Sequence, residues 1–402
     1  MNIAVLGYGT VGSGVVEVLN TNHASIARRA GEDINVKYVL DLRDFPGDPI
    51  QEKIVHDYQT ILDDDSIQIV VEVMGGTNPA YTFVKQALLA GKSVATSNKE
   101  LVAKYGAELL EIAREKNINF MFEASVGGGI PIIRQLINSL TADEIIEITG
   151  ILNGTTNYML TKMSEEGLAY DDVLKNAQDM GYAERNPAAD VEGFDACRKI
   201  AILTSLAYGK QVDFEDIYTE GITKITDTDF KYAKKLGTSI KLLATSRCEN
   251  GHVYAMVSPK MIGSSHPLYS VNDVFNAVFV EGNMLGDTMF YGKGAGKLPT
   301  ASAVVSDIVE EVKHIHTNIK IEWSQEKLAL SPMENASHRF FVRVADTCPK
   351  DAVNKAFGDV TFVNADGVTG EYGFVTDMMV EAVFNENIKN VPDVITRIRG
   401  NF

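Results

Sequence analysis

The chain opens on an apolar run, "NIAVL", that passes through glycines into apolar residues at helical spacing as far as Leu19. A short apolar run of this kind reads as a buried strand, and the spacing after it as a helix. The same unit recurs. "INVKYVLDLRDF" and "IQIVVEVMGG" read as strands, and "YTFVKQALLAGK" as a helix with Gly91 at its C-terminal end. "SVATSNKELVAKYGAELLEIAREKN" and "INFMFEASVGGGIPIIRQLINSL" each read as strand, turn and helix. Strands alternating with helices imply a parallel, doubly wound sheet.

The pattern then changes. "EIIEITGILNGTTNYMLTKMSEEG" reads as a strand, a polar turn from Asn153 to Asn157, and a helix. "IAILTSLAYG" continues a largely buried helix for which Asp190 is the expected N-cap. Residues 322–337 read as a linker. Beyond it "HRFFVRVAD" is strand-like, "PKDAVNKAF" helical, "VTFVNADG" and "EYGFVTDMMVEAVF" strand-like, and "VPDVITRIRG" helical.

Chemistry gathers at four places in this pattern. Gly7, Gly9 and Gly12 form a G-x-G-x-x-G turn between strand and helix. The first glycine permits the tight turn, the second lets a pyrophosphate approach, and the third lets helix and strand pack closely. At the end of the second strand Asp41 is placed for ribose hydroxyls, and Arg43 for a 2′-phosphate. This favours NADP and leaves NAD open. Lys99 falls where a strand hands over to a helix, at the edge where doubly wound sheets bind ligands. Asp195 and Lys199 are four residues apart and share one helical face. On a buried helix, desolvation disfavours the lysine's charge and the aspartate restores part of it, a balance suited to proton transfer. The bland alternative is a surface ion pair of about 0.3–0.5 kcal/mol. Gly292, Gly294 and Gly296 make a loop ahead of a helix, either a hairpin end or a second backbone wall for a cofactor.

Composition narrows the class. The chain has 402 residues, 45% of them hydrophobic, enough for two or three domains. A net charge of -17 argues against a nucleic-acid surface. Three scattered cysteines give neither a disulfide framework nor a thiolate metal site, and a reducing cytoplasm is expected. "MNIAVLGYG" has no basic leader, and no apolar run reaches the length of a membrane span.

Taken together, GYGTVG (7–12), TSNKEL (96–101), EASVGGGIPII (123–133), NGTTNY (153–158), GYAERNPAADVEGFDACRK (181–199) and YGKGAGKLPTASAVVSD (291–307) resemble homoserine dehydrogenases. The segments stand in the family's order over roughly the first 310 residues. The resemblance implies reversible NAD(P)-dependent interconversion of L-aspartate 4-semialdehyde and L-homoserine. Lys199 would carry the proton at the carbinol oxygen, with Lys99 as the second active-site lysine. Glu184, Asp195 and Asp190 would bind substrate. Thr10, Val11, Gly181 and Gly296 would join the glycine turn and Arg43 around the cofactor. Glu123, Val126, Gly128 and Ile130 would offer oxygens, mostly backbone carbonyls, to Na⁺ or K⁺, a hard-ligand set suited to such a cation. One departure stands out: Glu184-Arg185-Asn186-Pro187 replaces the family's more usual Glu-Pro-Asp-Pro.

The implied architecture is a Rossmann-type domain over 1–130, with 291–320 packing back on it. A central α+β substrate and dimerisation domain follows over 131–321, then the linker and a small α+β domain over 338–402, either ACT-like or a dimerisation or packing domain. A homodimer or homotetramer and a threonine effector are the implied partners.

Overall fold

The computed structural model describes residues 1–402. Six parallel strands build the first sheet: β1 (Asn2–Leu6), β2 (Asn35–Leu40), β3 (Ile54–Val55), β4 (Ile67–Glu72), β5 (Ser93–Thr96) and β6 (Phe120–Met121). Their order is β3-β2-β1-β4-β5-β6, the order of a dinucleotide-binding fold, with the switch point between β1 and β4. Strands covered by helices on both faces must be apolar throughout, and Ile3 to Leu6 and Ile69 to Val71 are fully buried.

The helix Lys297–Lys313 returns from far along the chain to close one face of this sheet. It packs against the helix Thr10–Thr21, and the approach is tight. A methyl group on Gly14 would sit 2.9 Å from the Lys297 carbonyl oxygen.

The central part contributes β7 (Ile145–Ile151), β8 (Lys210–Gln211), β9 (Tyr218–Thr219), β10 (Thr238–Glu249), β11 (His252–Gly263), β12 (Phe275–Gly282) and β13 (Gly286–Lys293). β7 lies inside this sheet, between β12 and β10, so its carboxyl end is held at a fixed place. That end delivers Leu152 and Asn153. The helix Phe194–Tyr208 is bounded by Gly193 and Gly209, both in the left-handed region at φ 84° and 68°. It packs on the central sheet and on the helix Lys99–Glu115, which follows β5. One face of it therefore reaches the ligand edge of the first sheet.

Three expectations give way here, and a fourth is narrowed. Asp190 is not the cap of the helix Phe194–Tyr208; that position is Gly193, and Asp190 sits in the single turn Ala188–Val191. The expected helix after β6 is present but short, over 133–139 and mostly of π type, and is preceded by the single turn Glu123–Ser125. The glycine triplet and Pro131 delay its start, and the Glu123 carboxylate takes the backbone N–H groups of Ile133 and Arg134. Residues 322–337 are docked rather than free. β14 (Ser324–Lys327) pairs with β8, and the buried Trp323 ring lies over Gly106.

The last correction is at the C-terminus. β15 (Ser337–Ala345), β16 (Thr361–Val363), β17 (Glu371–Val375), β18 (Met379–Val380) and β19 (Val394–Asn401) include a strand where "VPDVITRIRG" reads as a helix. Alternating β-branched residues and a partner on each side, β15 and β11, decide for the strand. The helix falls instead at Glu381–Asn387, within the strand-like "EYGFVTDMMVEAVF". The order β19-β15-β17-β16, with the helices Lys350–Phe357 and Glu381–Asn387, is a ferredoxin-like βαββαβ arrangement. Pairing of β19 with β11 makes it continuous with the central sheet, giving eleven strands in all.

Candidate active site

The site is built where the first sheet's carboxyl edge meets the helix Phe194–Tyr208. Asp195 stands at its centre and is buried. One carboxylate oxygen, Oδ1, lies 2.8 Å from Lys99 Nζ. The other, Oδ2, lies 2.8 Å from Lys199 Nζ, one helical turn away. Burial pushes the Asp195 carboxyl up, but the ammonium groups of Lys199 and Lys99 outweigh it and hold it far below the usual carboxylate range. Burial lowers the affinity of Lys99 for its proton, and Asp195 more than reverses that, so its pKa is raised. Both lysines are thus held by one shared carboxylate.

Lys199 makes a second bond, donating to the Leu152 carbonyl at 2.8 Å. Two of its three N–H donors are committed, and one is left for a ligand. Lys99 comes to the same point because Asn98 caps its helix, accepting from the Leu101 N–H at 3.2 Å. Below it, Glu72 ends β4, fully buried, and accepts from Thr96 Oγ1 at 2.7 Å. Burial raises the Glu72 pKa despite that bond.

Asn153 joins the two acidic positions. Its Nδ2 donates to Asp190 Oδ1 at 2.7 Å and to Asp195 Oδ2 at 2.9 Å. Its Oδ1 accepts from the Thr156 N–H at 2.9 Å and so caps the helix Gly154–Glu166. Burial, then the nearby Asp195 charge working against the Asn153 bond, leaves the Asp190 pKa raised. Glu184 is not brought to this cluster. It lies in the exposed turn after the helix Tyr170–Asp179, and only its backbone carbonyl is engaged, by Gln178. Gly181, at φ 75°, begins the same exposed turn.

The glycine turn fits a dinucleotide. A side chain on Gly12 would strike the Gly7 carbonyl at 1.9 Å, while one on Gly9 would meet nothing within 4 Å. The N-terminus of the helix Thr10–Thr21 has no side-chain cap and no acidic residue, so the N–H groups around Thr10, Val11 and Gly12 are available to phosphate. At the end of β2, Asp41 accepts the Tyr8 N–H and pairs with Arg43 at 2.9 Å. The Arg43 bond holds the Asp41 carboxyl far down. Gly296 ends the opposite glycine loop at φ 118°, just before the helix Lys297–Lys313.

That loop touches the segment expected to hold a cation. A methyl group on Gly128 would fall 2.3 Å from the Gly294 carbonyl oxygen. Glu123, Val126, Gly128 and Ile130 are all buried, and none of their four backbone carbonyls accepts a hydrogen bond from the protein. Buried carbonyls are otherwise nearly always paired, so four together fit a hard cation. No cluster of three or more His, Cys, Asp or Glu side chains is arranged for a metal ion.

Sequence reading missed Asn153 and Glu72. Asn153 was visible only as the start of a polar turn, open to capping or to a small polar ligand. Glu72 was an acidic residue ending an apolar run, which is a usable signal, since a carboxylate there must be buried at the ligand edge.

Sheet order, glycine turn and lysine pair define a Rossmann-type NAD-binding oxidoreductase. The homoserine dehydrogenase profile matches residues 131–309, and that of the family's NAD-binding domain matches residues 7–123. The homoserine dehydrogenase of Bacillus subtilis is 37% identical over 426 aligned residues, covering 100% of this chain and 98% of the relative. That of Synechocystis is 42% identical, covering 93% and 86%. The crystal structure of a homoserine dehydrogenase from Thiobacillus denitrificans superposes with a TM-score of 0.91 at 35% identity, covering 100% and 98%. A hyperthermophilic archaeal homoserine dehydrogenase in complex with NADPH gives 0.66 at 31% identity, covering 77% and 97%. The chain belongs to the homoserine dehydrogenase family. No helix in it is long and apolar enough to cross a membrane.

Proposed function

We propose that the protein interconverts L-aspartate 4-semialdehyde and L-homoserine with NADP, in threonine and methionine biosynthesis. The observation that carries the reading is the single buried carboxylate, Asp195, holding Lys99 and Lys199 at 2.8 Å each. When bound, the nicotinamide supplies or accepts the hydride at the substrate's carbonyl carbon. Lys199 uses its free N–H to give a proton to the aldehyde oxygen, and takes it back in the oxidative direction. Lys99 stabilises the negative charge that develops on that oxygen. Asp195 fixes both ammonium groups. Asp190, with one oxygen held by Asn153, turns the other to the substrate's amino group. Glu184 would join it only by inward movement of the turn 181–187.

Arg43 supports NADP over NAD. Asp41 alone would repel a 2′-phosphate, and Arg43 both neutralises it and adds a guanidinium that is largely exposed. The four unpaired carbonyls of Glu123, Val126, Gly128 and Ile130 would hold Na⁺ or K⁺ and brace the loop behind the cofactor. Purified protein mixed with aspartate semialdehyde and NADPH should lose nicotinamide absorbance. No loss with either NADPH or NADH defeats the reading. Arg43→Ala should raise the KM for NADPH about tenfold or more and leave that for NADH nearly unchanged.

A further inference from the structure

Asn153 follows the end of β7 and is 6% exposed. Every hydrogen-bonding position of its side-chain amide is used. Nδ2 donates one N–H to Asp190 Oδ1 at 2.7 Å and the other to Asp195 Oδ2 at 2.9 Å. Oδ1 accepts the Thr156 N–H at 2.9 Å and the Thr156 hydroxyl at 3.0 Å. The amide therefore has a single orientation. Turned over, it would set its oxygen against two carboxylates and its own N–H groups against a backbone N–H.

The place calls for an amide. A lysine or arginine there would compete with Lys99 and Lys199 for Asp195. A carboxylate would repel Asp190 and Asp195 together. A neutral group with two donors holds both acids and adds no charge. The two acids do not depend on it equally. Asp195 is buried and keeps both lysines without Asn153. Asp190 is half-buried, and Asn153 is the one side chain that bonds its carboxylate. Loss of the amide therefore falls on Asp190.

We propose that Asn153 is a positioning residue that sets substrate affinity: it holds one oxygen of Asp190 and so aims the other at the substrate's ammonium group. The assignment rests on the homoserine reaction proposed above, and it gives the residue that caps the helix Gly154–Glu166 a second, separable task.

The two tasks come apart in Asn153→Ser, which keeps an oxygen able to cap the helix and loses both N–H donors. The measurement is steady-state oxidation of L-homoserine by the full chain with whichever of NADP and NAD it uses. KM for homoserine should rise about tenfold or more, as for a lost hydrogen bond to a charged group, while kcat stays within about threefold. The melting temperature and the KM for the cofactor should change little. Asp190→Asn itself raises the KM for homoserine, and adding Asn153→Ser to it should raise that KM less than about twofold further, because the amide acts through Asp190. Asn153→Asp also keeps a capping oxygen, and its charge repels Asp190, so its KM should rise at least as far as that of Asn153→Ser. A wild-type KM in Asn153→Ser, a fall in kcat alone, or a full second increase on the Asp190→Asn background overturns the assignment and leaves the reaction in place. No turnover by the wild-type protein with either cofactor overturns the reaction and the assignment together.

Discussion

Asp195 has two lysines to hold and only two oxygens, and each oxygen carries one ammonium group. Removing Lys199 leaves Asp195 paired with Lys99 alone, so the carboxylate is still compensated and the fold should survive. What disappears is the donor at the substrate oxygen. Lys199→Ala should lower kcat about 10²–10⁴-fold, the range of a lost general acid. Cofactor affinity, read by nicotinamide fluorescence, should stay within about twofold, because the glycine turn is elsewhere. A variant with wild-type kcat would remove Lys199 from the chemistry. The Asp195–Lys199 pair was legible because four residues make one helical turn. The Asn153 bridge was not, because its partners lie 37 and 42 residues further on and only packing brings them back. Glu184 shows the converse: its motif was clear in the sequence, yet its side chain faces solvent.

Elements pack through particular small or buried residues, and two of these decide between opposing effects. Gly106 lies inside the helix Lys99–Glu115, where alanine is intrinsically better by about 1 kcal/mol. Yet its new methyl carbon would sit 2.8 Å from the buried Trp323 ring, and overpacking of that kind costs about 1–3 kcal/mol. Packing should win, so Gly106→Ala should lower stability in chemical denaturation by roughly 1 kcal/mol. A stabilised variant would mean that Trp323 shifts freely. This contact also explains why 322–337 could not be read correctly: nothing in its polar sequence announces that one tryptophan docks it. In the helix Lys297–Lys313, Glu311 is fully buried and neither of its carboxylate oxygens has a partner. Burial first, then the charge of Asp307 one turn earlier, holds its pKa well above the ordinary value. Burial and repulsion by Glu123 likewise push Asp307 up to about 7. An acid raised in the folded state binds more protons folded than unfolded. Its contribution is therefore intact in acid and lost as pH rises from the unfolded value toward the folded one. For one proton the slope is about 1.4 kcal/mol per pH unit. Glu311→Gln cannot ionise, so its Tm should gain on the wild type as pH rises above the ordinary carboxylate range. Parallel melting curves would show that Glu311 does not titrate against folding.

Across the whole molecule, the long central sheet makes one mechanical unit of segments that the sequence presents as separate. Most of the N-terminal sheet was readable because strands such as β1 and β4 are short, mainly apolar runs that lead into glycine turns, whereas β3, two residues long, gave no such signal. β19 was not, because "VPDVITRIRG" carries polar residues at a spacing that suits a helix surface, and only its two neighbours make it a strand. Arg399 shows what that placement achieves. It is 1% exposed, aligned with Lys260 on β11 and Phe340 on β15. Its guanidinium binds Glu381 through two nitrogens and Glu220 through the third at 2.8 Å. Glu220 follows β9 in the central part and Glu381 opens a C-terminal helix, so one side chain ties the two regions. Arg399→Ala would leave Glu381 charged and buried without a partner, which costs about 3–5 kcal/mol. The larger part of that cost comes from the stranded carboxylate rather than from the lost attraction, because desolvation offsets most of a buried pair's Coulomb energy. Two variants separate the contributions. Arg399→Ala should unfold at markedly lower denaturant concentration and expose the segment after residue 337 to limited proteolysis. Arg399→Met combined with Glu381→Leu, which removes both charges and keeps apolar volume, should recover most of the loss. Equal destabilisation by the single and double variants would show instead that the ion pair itself holds the two halves of the sheet together.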